Sequence, residues 1–233
     1  MNMYARMRSL YENIKNRYEY RDVAPQDNIK IVVDPRGIKF KLSNRFYSDE
    51  LPPNGTYVRD GNWDKNRINE ETIYARKMNG QRPSRGLIKI KEMPLYQSFK
   101  SHFVHNVEWG NTQFYNLAQK MHEENHLIST KYGPNNIDTR LDYVDDLYTS
   151  IKENGFESSS SITVNIGRDG EIILGGDGLH RTILSKIIGV EQIPARIFVR
   201  HSEWQEKRYQ AYTNNKTDML PDSHPDTIKL MDQ

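Results

Sequence analysis

An α+β fold built on a small mixed β-sheet with packed helices is predicted by three features of this sequence. Short apolar runs rich in Ile and Val, such as Ile162-Thr-Val-Asn-Ile166 and Ala195-Arg-Ile-Phe-Val199, read as strands. A longer segment repeats Ile137, Leu141, Val144, Tyr148 and Ile151 at helical spacing. The strand Ile172-Ile173-Leu174 passes through Gly175-Gly176-Asp177-Gly178 directly into the apolar helical run that includes Ile183, Leu184, Ile187 and Ile188.

Composition narrows the classes of function. With 36% hydrophobic residues, 14 Tyr and a mean hydropathy of -0.85, the 233-residue chain predicts a modest core and a polar N-terminal region. The 33 basic and 31 acidic residues leave a net charge of +2, so there is no global electrostatic footprint for nucleic acid. The absence of cysteine excludes disulfides, thiolate nucleophiles and Cys-ligated zinc. No apolar window reaches the roughly 18 residues of a membrane span and no export signal precedes the first element, so no membrane partner and a cytoplasmic location are expected.

In chain order, Met3, Met7, Leu10 and Ile14 mark an amphipathic helix expected to pack on the body of the protein. The runs at 29–33 and 38–42, joined by Asp34-Pro35-Arg36-Gly37, predict a hairpin. Residues 43–81 are rich in Asn, Asp, Pro, Gly and Arg and predict a long irregular segment, with Trp63 docked on the core. A strand at 87–90 leads to a helix opened by Pro94 and carrying Leu95, Phe99 and Phe103. Asn111-Thr112 open a further helix to about His126, whose last turn, His122-Glu123-Glu124-Asn125-His126, has the H-E-x-x-H spacing of zinc hydrolases. No third ligand follows at a recognised spacing, so a solvated helix end and no metal site are expected. Gly155 stops the helix that begins at Ile137, and Arg140 falls on its solvated face. A polar linker at 158–161 precedes a hairpin turning at Gly167-Arg168-Asp169-Gly170. Ser202 is the expected N-cap of a last helix, and residues 214–233 read as an irregular tail. The domain plan is therefore an N-terminal extension over 1–84, a domain over 85–213 and the tail.

The glycine turn is the feature with chemistry. A helix N-terminus carries unpartnered amides and partial positive charge, which suits an anion. Gly176 and Gly178 let backbone approach a ligand, Arg181 offers a bidentate fork to phosphate and His180 a tunable donor. The same glycines also suit a purely structural turn, and Asp177 a purely structural N-cap.

The strand, hairpin, Gly-Asp-Gly-Leu-His-Arg-Thr turn, Ile-Gly-Val-Glu-Gln-Ile-Pro-Ala-Arg-Ile run and closing strand together resemble the nucleotide-binding core of the ParB/sulfiredoxin superfamily. The similarity is good over residues 137–204 and weaker over 87–103. The phrases Asp-Gly-Leu-His-Arg and Val-Arg-His-Ser-Glu-Trp-Gln look like those of ParB-like proteins of archaea and bacteria. Three activities of the superfamily bear on the chain. Leu179 stands where sulfiredoxins carry the reactive Cys, which excludes sulfinic acid reduction. Partition proteins of the ParB type bind CTP through Gly-Glu-Arg-Arg, where this chain has Gly-Leu-His-Arg, and the roughly thirty residues after Arg200 are expected to be too few for their DNA-reading domain. Free serine kinases of this fold use an Asp-Gly-x-x-Arg run similar to Asp177-Gly178-Leu179-His180-Arg181.

That last resemblance implies a nucleoside di- or triphosphate with Mg²⁺ held by Gly176, Gly178, Leu179, His180, Arg181 and Thr182. It implies catalytic roles for Asp177, His180 and, near the first strand, Glu92. A phosphotransferase or NTPase acting on a small hydroxyl-bearing acceptor is the leading expectation. The alternatives are a DNA-binding protein or nuclease using a basic face with Arg196 and Arg200, and a non-catalytic interaction module presenting Trp63 and Trp109.

Overall fold

The computed structural model describes residues 3–25, 29–43, 56–79, 81, 86–126, 132–133, 135–157, 160–214, 219–221 and 223–227. Its first half contains helix α1 (Met3–Tyr20), strands β1 (Lys30–Val33), β2 (Phe40–Leu42) and β3 (Tyr57–Arg59), helix α2 (Glu70–Met78) and strand β4 (Leu87–Lys89). Helices α3 (Pro94–His105), α4 (Gln113–Glu123) and α5 (Ile137–Asn154) follow, then β5 (Ile162–Ile166), β6 (Ile172–Leu174), α6 (Leu179–Ile188), β7 (Ile193–His201) and α7 (Ser202–Thr213). This is the expected α+β class.

One mixed seven-stranded sheet runs in the order β1-β7-β5-β6-β2-β4, with β3 beside the second half of β7. β7 pairs parallel with β5 and antiparallel with β1, β5 and β6 form an antiparallel hairpin, and β2 lies parallel to β6 and antiparallel to β4. Successive strand residues point to opposite faces. Thus Leu174, Ile88 and Val164 join the main core with Phe99, Phe114, Leu141, Val144 and Ile183 of the helices, whereas Ile173, Leu87 and Leu42 join a smaller core with Tyr57, Trp63 and Val199. Trp63 is buried there, as its expected docking requires.

The boundary expected at residue 84 has no counterpart, because β1, β2 and β3 belong to the same sheet as the later strands. The hairpin expected at 29–42 does not form either. Asp34 accepts the Arg36 amide at 2.8 Å and closes a 3-10 turn over Pro35–Gly37. β1 then goes to the edge against β7, and β2, with Lys41 and Leu42 both buried, takes neighbours on both sides. The irregular segment expected at 43–81 contains β3 and α2, while its residues 44–55 lie outside the described residues, as do 158–159 of the linker and 228–233 of the tail. His201, not Ser202, caps α7, accepting the Glu203 amide at 3.1 Å through Nδ1.

Helix α1 sits opposite to expectation. Its polar side faces the body: Glu12 accepts both terminal nitrogens of Arg59 at 3.1 Å, Asn16 is buried and Tyr20 meets Tyr209 edge-on. Met7, Leu10 and Ile14 point outward. The fixed geometry of the Glu12–Arg59 pair sets the rotation of the helix.

The tail is not loose where it is described. Asp226 is buried against Arg200, which donates to it from Nε at 2.9 Å and Nη2 at 2.6 Å, and against Trp204, whose indole donates at 2.9 Å. Arg208 lies 3.4 Å from the same carboxylate. Burial alone would raise the Asp226 pKa, but Arg200 and Arg208 outweigh it and hold the carboxyl well below the usual range. A second clamp joins Asp64 to Arg168 of the β5–β6 turn at 2.7 Å. Burial opposes ionisation of Asp64 as well, and the Arg168 bonds overcome it to lower its pKa.

Both carboxylates have depressed pKa values, so their stabilisation is complete above about pH 4 and disappears as pH falls through the folded-state values. Asp226→Asn leaves two buried guanidinium groups without their counter-charge, and a loss of about 3–5 kcal/mol is expected in urea unfolding at neutral pH. The variant is also expected to lose less stability than the parent on acidification. A neutral-pH loss below about 1 kcal/mol would mean that the tail is not clamped through this pair.

Candidate functional site

The turn between β6 and α6 is built by two glycines with structural reasons and one without. A Cβ on Gly175 would lie 3.0 Å from both the Thr163 methyl and its carbonyl oxygen. Gly178 has φ +95°, and a Cβ there would fall 2.5 Å from Ile162 Cγ2 at the start of β5. Only glycine fits that close, left-handed passage. A Cβ on Gly176 would meet nothing within 4 Å, and the residue is exposed, so the backbone is open to solvent at that point.

Helix α6 then starts from Gly178, whose carbonyl accepts the Thr182 amide at 2.8 Å, with no side chain capping the first turn. Asp177 is not the N-cap. Its exposed carboxylate accepts the Gly178 amide at 2.8 Å through Oδ1 and Arg181 Nη2 at 3.1 Å through Oδ2. Arg181 also donates to the Ser160 hydroxyl and, at 3.3 Å, to the Ser161 carbonyl, which fixes the guanidinium beside the first turn. Of the residues expected to hold phosphate, Leu179 packs on the main core and offers its amide alone. Thr182 is fully buried, so its hydroxyl does not face a ligand.

His180 is turned inward. Arg140 Nη2 approaches its Nδ1 at 2.9 Å, and the Tyr132 hydroxyl its Nε2 at 2.5 Å. A guanidinium only donates, so Nδ1 accepts and Nε2 carries the ring hydrogen, donated to the Tyr132 oxygen. The ring also packs against Phe99 at 5.7 Å between centroids. Burial raises the Tyr132 pKa, against the opposing effect of Arg140, and keeps the phenol protonated. His180 is thereby a positioning group that brings Arg140 to the first turn of α6. Arg140 was expected on a solvated face; instead it is half-buried, stacks on Tyr143 at 4.4 Å and keeps its Nε buried without a partner. Neither Arg140 nor Tyr132 stood out in the sequence, because one lies among the polar residues of α5 and the other in a Tyr-Gly-Pro break.

A row of ionisable groups continues from Tyr132 under the sheet. Tyr74 lies close enough to Tyr132 for the two to interact electrostatically, and its hydroxyl donates to Glu70 at 2.7 Å. Beyond Glu70 is Lys41, whose pKa burial pushes down to about 8 against the attraction of that carboxylate. This row has no signature in the sequence, where Lys39 and Lys41 alternate as the polar side of a strand.

The structure does not bring Glu92 to the turn. β2 and β6 run parallel, so Gly175 follows β6 at the end where β2 finishes, while antiparallel β4 starts there and leaves in the opposite direction. Glu92 is exposed and pairs with Lys89 at 2.5 Å. The neighbouring Lys91 acts on Lys186, two turns along α6, where burial first and Lys91 second lower the lysine pKa to about 8. The H-E-x-x-H residues do not share a helix: α4 ends at Glu123, and Asn125 is left-handed at φ 58°. His122 instead donates from Nε2 to the Tyr132 carbonyl at 2.7 Å, supporting the residue that holds His180. No group of three or more His, Cys, Asp or Glu suited to a metal occurs among the described residues.

A separate pocket of about 400 Å³ lies between α3 and α5, lined by His102, Phe103, Glu108, Tyr148 and Lys152 among others. Trp109 stacks on His102 at 4.0 Å and donates its indole N–H to Asp145, so it is part of the packing rather than a presented surface. Of the basic face expected for DNA, Arg200 is fully buried on Asp226, and Arg196 is half-buried with its Nη2 3.5 Å from the Thr163 hydroxyl.

No family model, curated protein or solved structure matches the chain. No described helix is long and apolar enough to cross a membrane.

The glycines separate structure from ligand access. Gly178→Ala is expected to lower stability through the left-handed backbone, about 1–2 kcal/mol, and through overpacking on Ile162, about 1–3 kcal/mol more. Gly176→Ala is expected to change thermal unfolding by no more than about 0.5 kcal/mol. Equal effects in calorimetric melts would refute this division of roles.

Proposed function

We propose that the chain is a ParB-like protein that binds a nucleoside di- or triphosphate with Mg²⁺ at the first turn of α6, and that it transfers a phosphoryl group to a small hydroxyl-bearing acceptor. One observation carries the proposal: α6 begins without a side-chain cap, its leading amides next to the Arg181 guanidinium and the open Gly176 backbone. Helix dipole, amide donors and a fixed arginine are the elements that stabilise a transferring phosphoryl group. Arg140, held by His180, adds a second cation on the inner side.

Asp177 takes the place proposed for the anion, with one oxygen on an amide and the other on Arg181. A phosphate offers more charge and more acceptor oxygens to the same donors and displaces it. The freed carboxylate then orients the acceptor hydroxyl and takes its proton as the new O–P bond forms and the bond to the leaving phosphate breaks. Mg²⁺ would be held chiefly by the phosphates of the nucleotide. Bound there, the metal would neutralise charge on the phosphate oxygens.

Titration calorimetry with ATP, ADP and CTP, each with Mg²⁺, tests the proposal. At least one is expected to bind, and Arg181→Ala to weaken it about 10–100-fold, the worth of a hydrogen bond to a charged group. No heat with any of the three, together with no change on substitution, would sink it. Asp177→Asn is expected to retain nucleotide while losing transfer. If transfer survives in that variant, Asp177 is not the proton acceptor.

A further inference from the structure

We infer that the outward face of α1 is a homodimer interface, on which two copies of the chain pair their first helices antiparallel about a two-fold axis. Met7, Leu10, Tyr11, Ile14 and Tyr18 are 64%, 62%, 66%, 59% and 87% exposed, a continuous stripe at i, i+3, i+4, i+7 and i+11. The helix cannot roll to bury it, because Glu12, Asn16 and Tyr20 hold the opposite side on β3 and α7. An amphipathic helix fixed with its apolar side in water is a surface awaiting a partner.

The stripe is self-complementary. A two-fold axis midway along the helix, between Tyr11 and Ile14, sets Tyr11 against Ile14 and Met7 against Tyr18 of the second copy, so each tyrosine ring covers an aliphatic side chain. An aromatic side chain covers about 150–250 Å², so the five exposed side chains together offer on the order of 700 Å² per copy, close to the roughly 800 Å² per partner of a stable interface. Closed two-fold pairing is also the commonest form of soluble assembly. A lipid surface fits less well, because an interfacial helix keeps a strongly charged face toward water. Here the side opposite the stripe is docked on the protein through Glu12, Asn16 and Tyr20.

Sedimentation equilibrium of the full chain tests the inference, and a dimer is expected at about 10 μM, an affinity within the range seen for standard-size interfaces. Ile14→Glu places a charge next to the axis on a side chain already exposed in the monomer. It is expected to raise the dissociation constant at least about 100-fold while the thermal midpoint of the monomer stays within the small range of surface substitutions. Because the chain has no cysteine, Met7→Cys and Tyr18→Cys chains can report the register. The two residues lie about 16 Å apart along the axis, so mixed chains are expected to cross-link to each other and neither to itself. A monomer at 100 μM, a dimer indifferent to Ile14→Glu, or cross-linking of Tyr18→Cys chains to themselves would each overturn the inference. So would a monomer that binds anionic vesicles through this face, which would make lipid the occupant.

Discussion

The nine-residue strand β7 sets the register of everything else. It pairs along one side with β5 and along the other first with β1 and then with β3, so two N-terminal strands are tied to it directly. Its last residues carry the polar groups that close the structure: Arg200 receives the tail through Asp226, and His201 caps α7. The bulge at Val164/Asn165 absorbs the one mismatch in the long parallel pairing with β5. Loss of this register would release the N-terminal strands and the C-terminal tail together, which is why no independent extension exists.

The same register reaches the candidate site. Ile162 is paired with Ala195 of β7, and its side chain is the wall that Gly178 must pass. The start of α6 is therefore placed by a steric contact with the sheet, not by a capping side chain. From the other side, α3, α4, α5 and the segment containing Tyr132 fix the inner end through Phe99, His122, Arg140 and His180. The first turn of α6 is thus held from both sides by packing and side-chain contacts, the kind of preorganisation that a site for an anion would need.

Local pattern was legible and partnership was not. The α5 stripe, the β5–β6 hairpin, the Pro94 helix start and the glycine turn all appeared in the sequence because each is decided within a few residues. Failure came wherever a distant residue decides the outcome. Asp34-Pro35-Arg36-Gly37 looked like a hairpin turn, yet the neighbours of β1 and β2 are set by β7, β6 and β4. The apolar stripe of α1 reads as a core face until Arg59 fixes the rotation of the helix. At the site, Asp177, Arg181 and Gly176 could be named from the motif, whereas Arg140 and Tyr132 come to it from segments with no motif at all. His180 and Thr182 share that lesson: the motif names both, and packing around α6 turns both inward.

Two carboxylate–arginine pairs in this chain have the same chemistry and opposite uses, and burial decides between them. Asp226 and Arg200 are 2% and 0% exposed, so neither partner can be exchanged for water and removal of one strands the other. Asp177 is 71% exposed and its pair with Arg181 closes over a single helical turn. An exposed pair of this kind contributes about 0–1 kcal/mol, less than the roughly 1.5–3 kcal/mol of one hydrogen bond to a charged group. Under the proposed function, a phosphate making two such bonds would displace Asp177 at little cost, whereas the buried Asp226 lacks that freedom. The weak hold on the Asp177 carboxylate follows from its exposure beside the open Gly176.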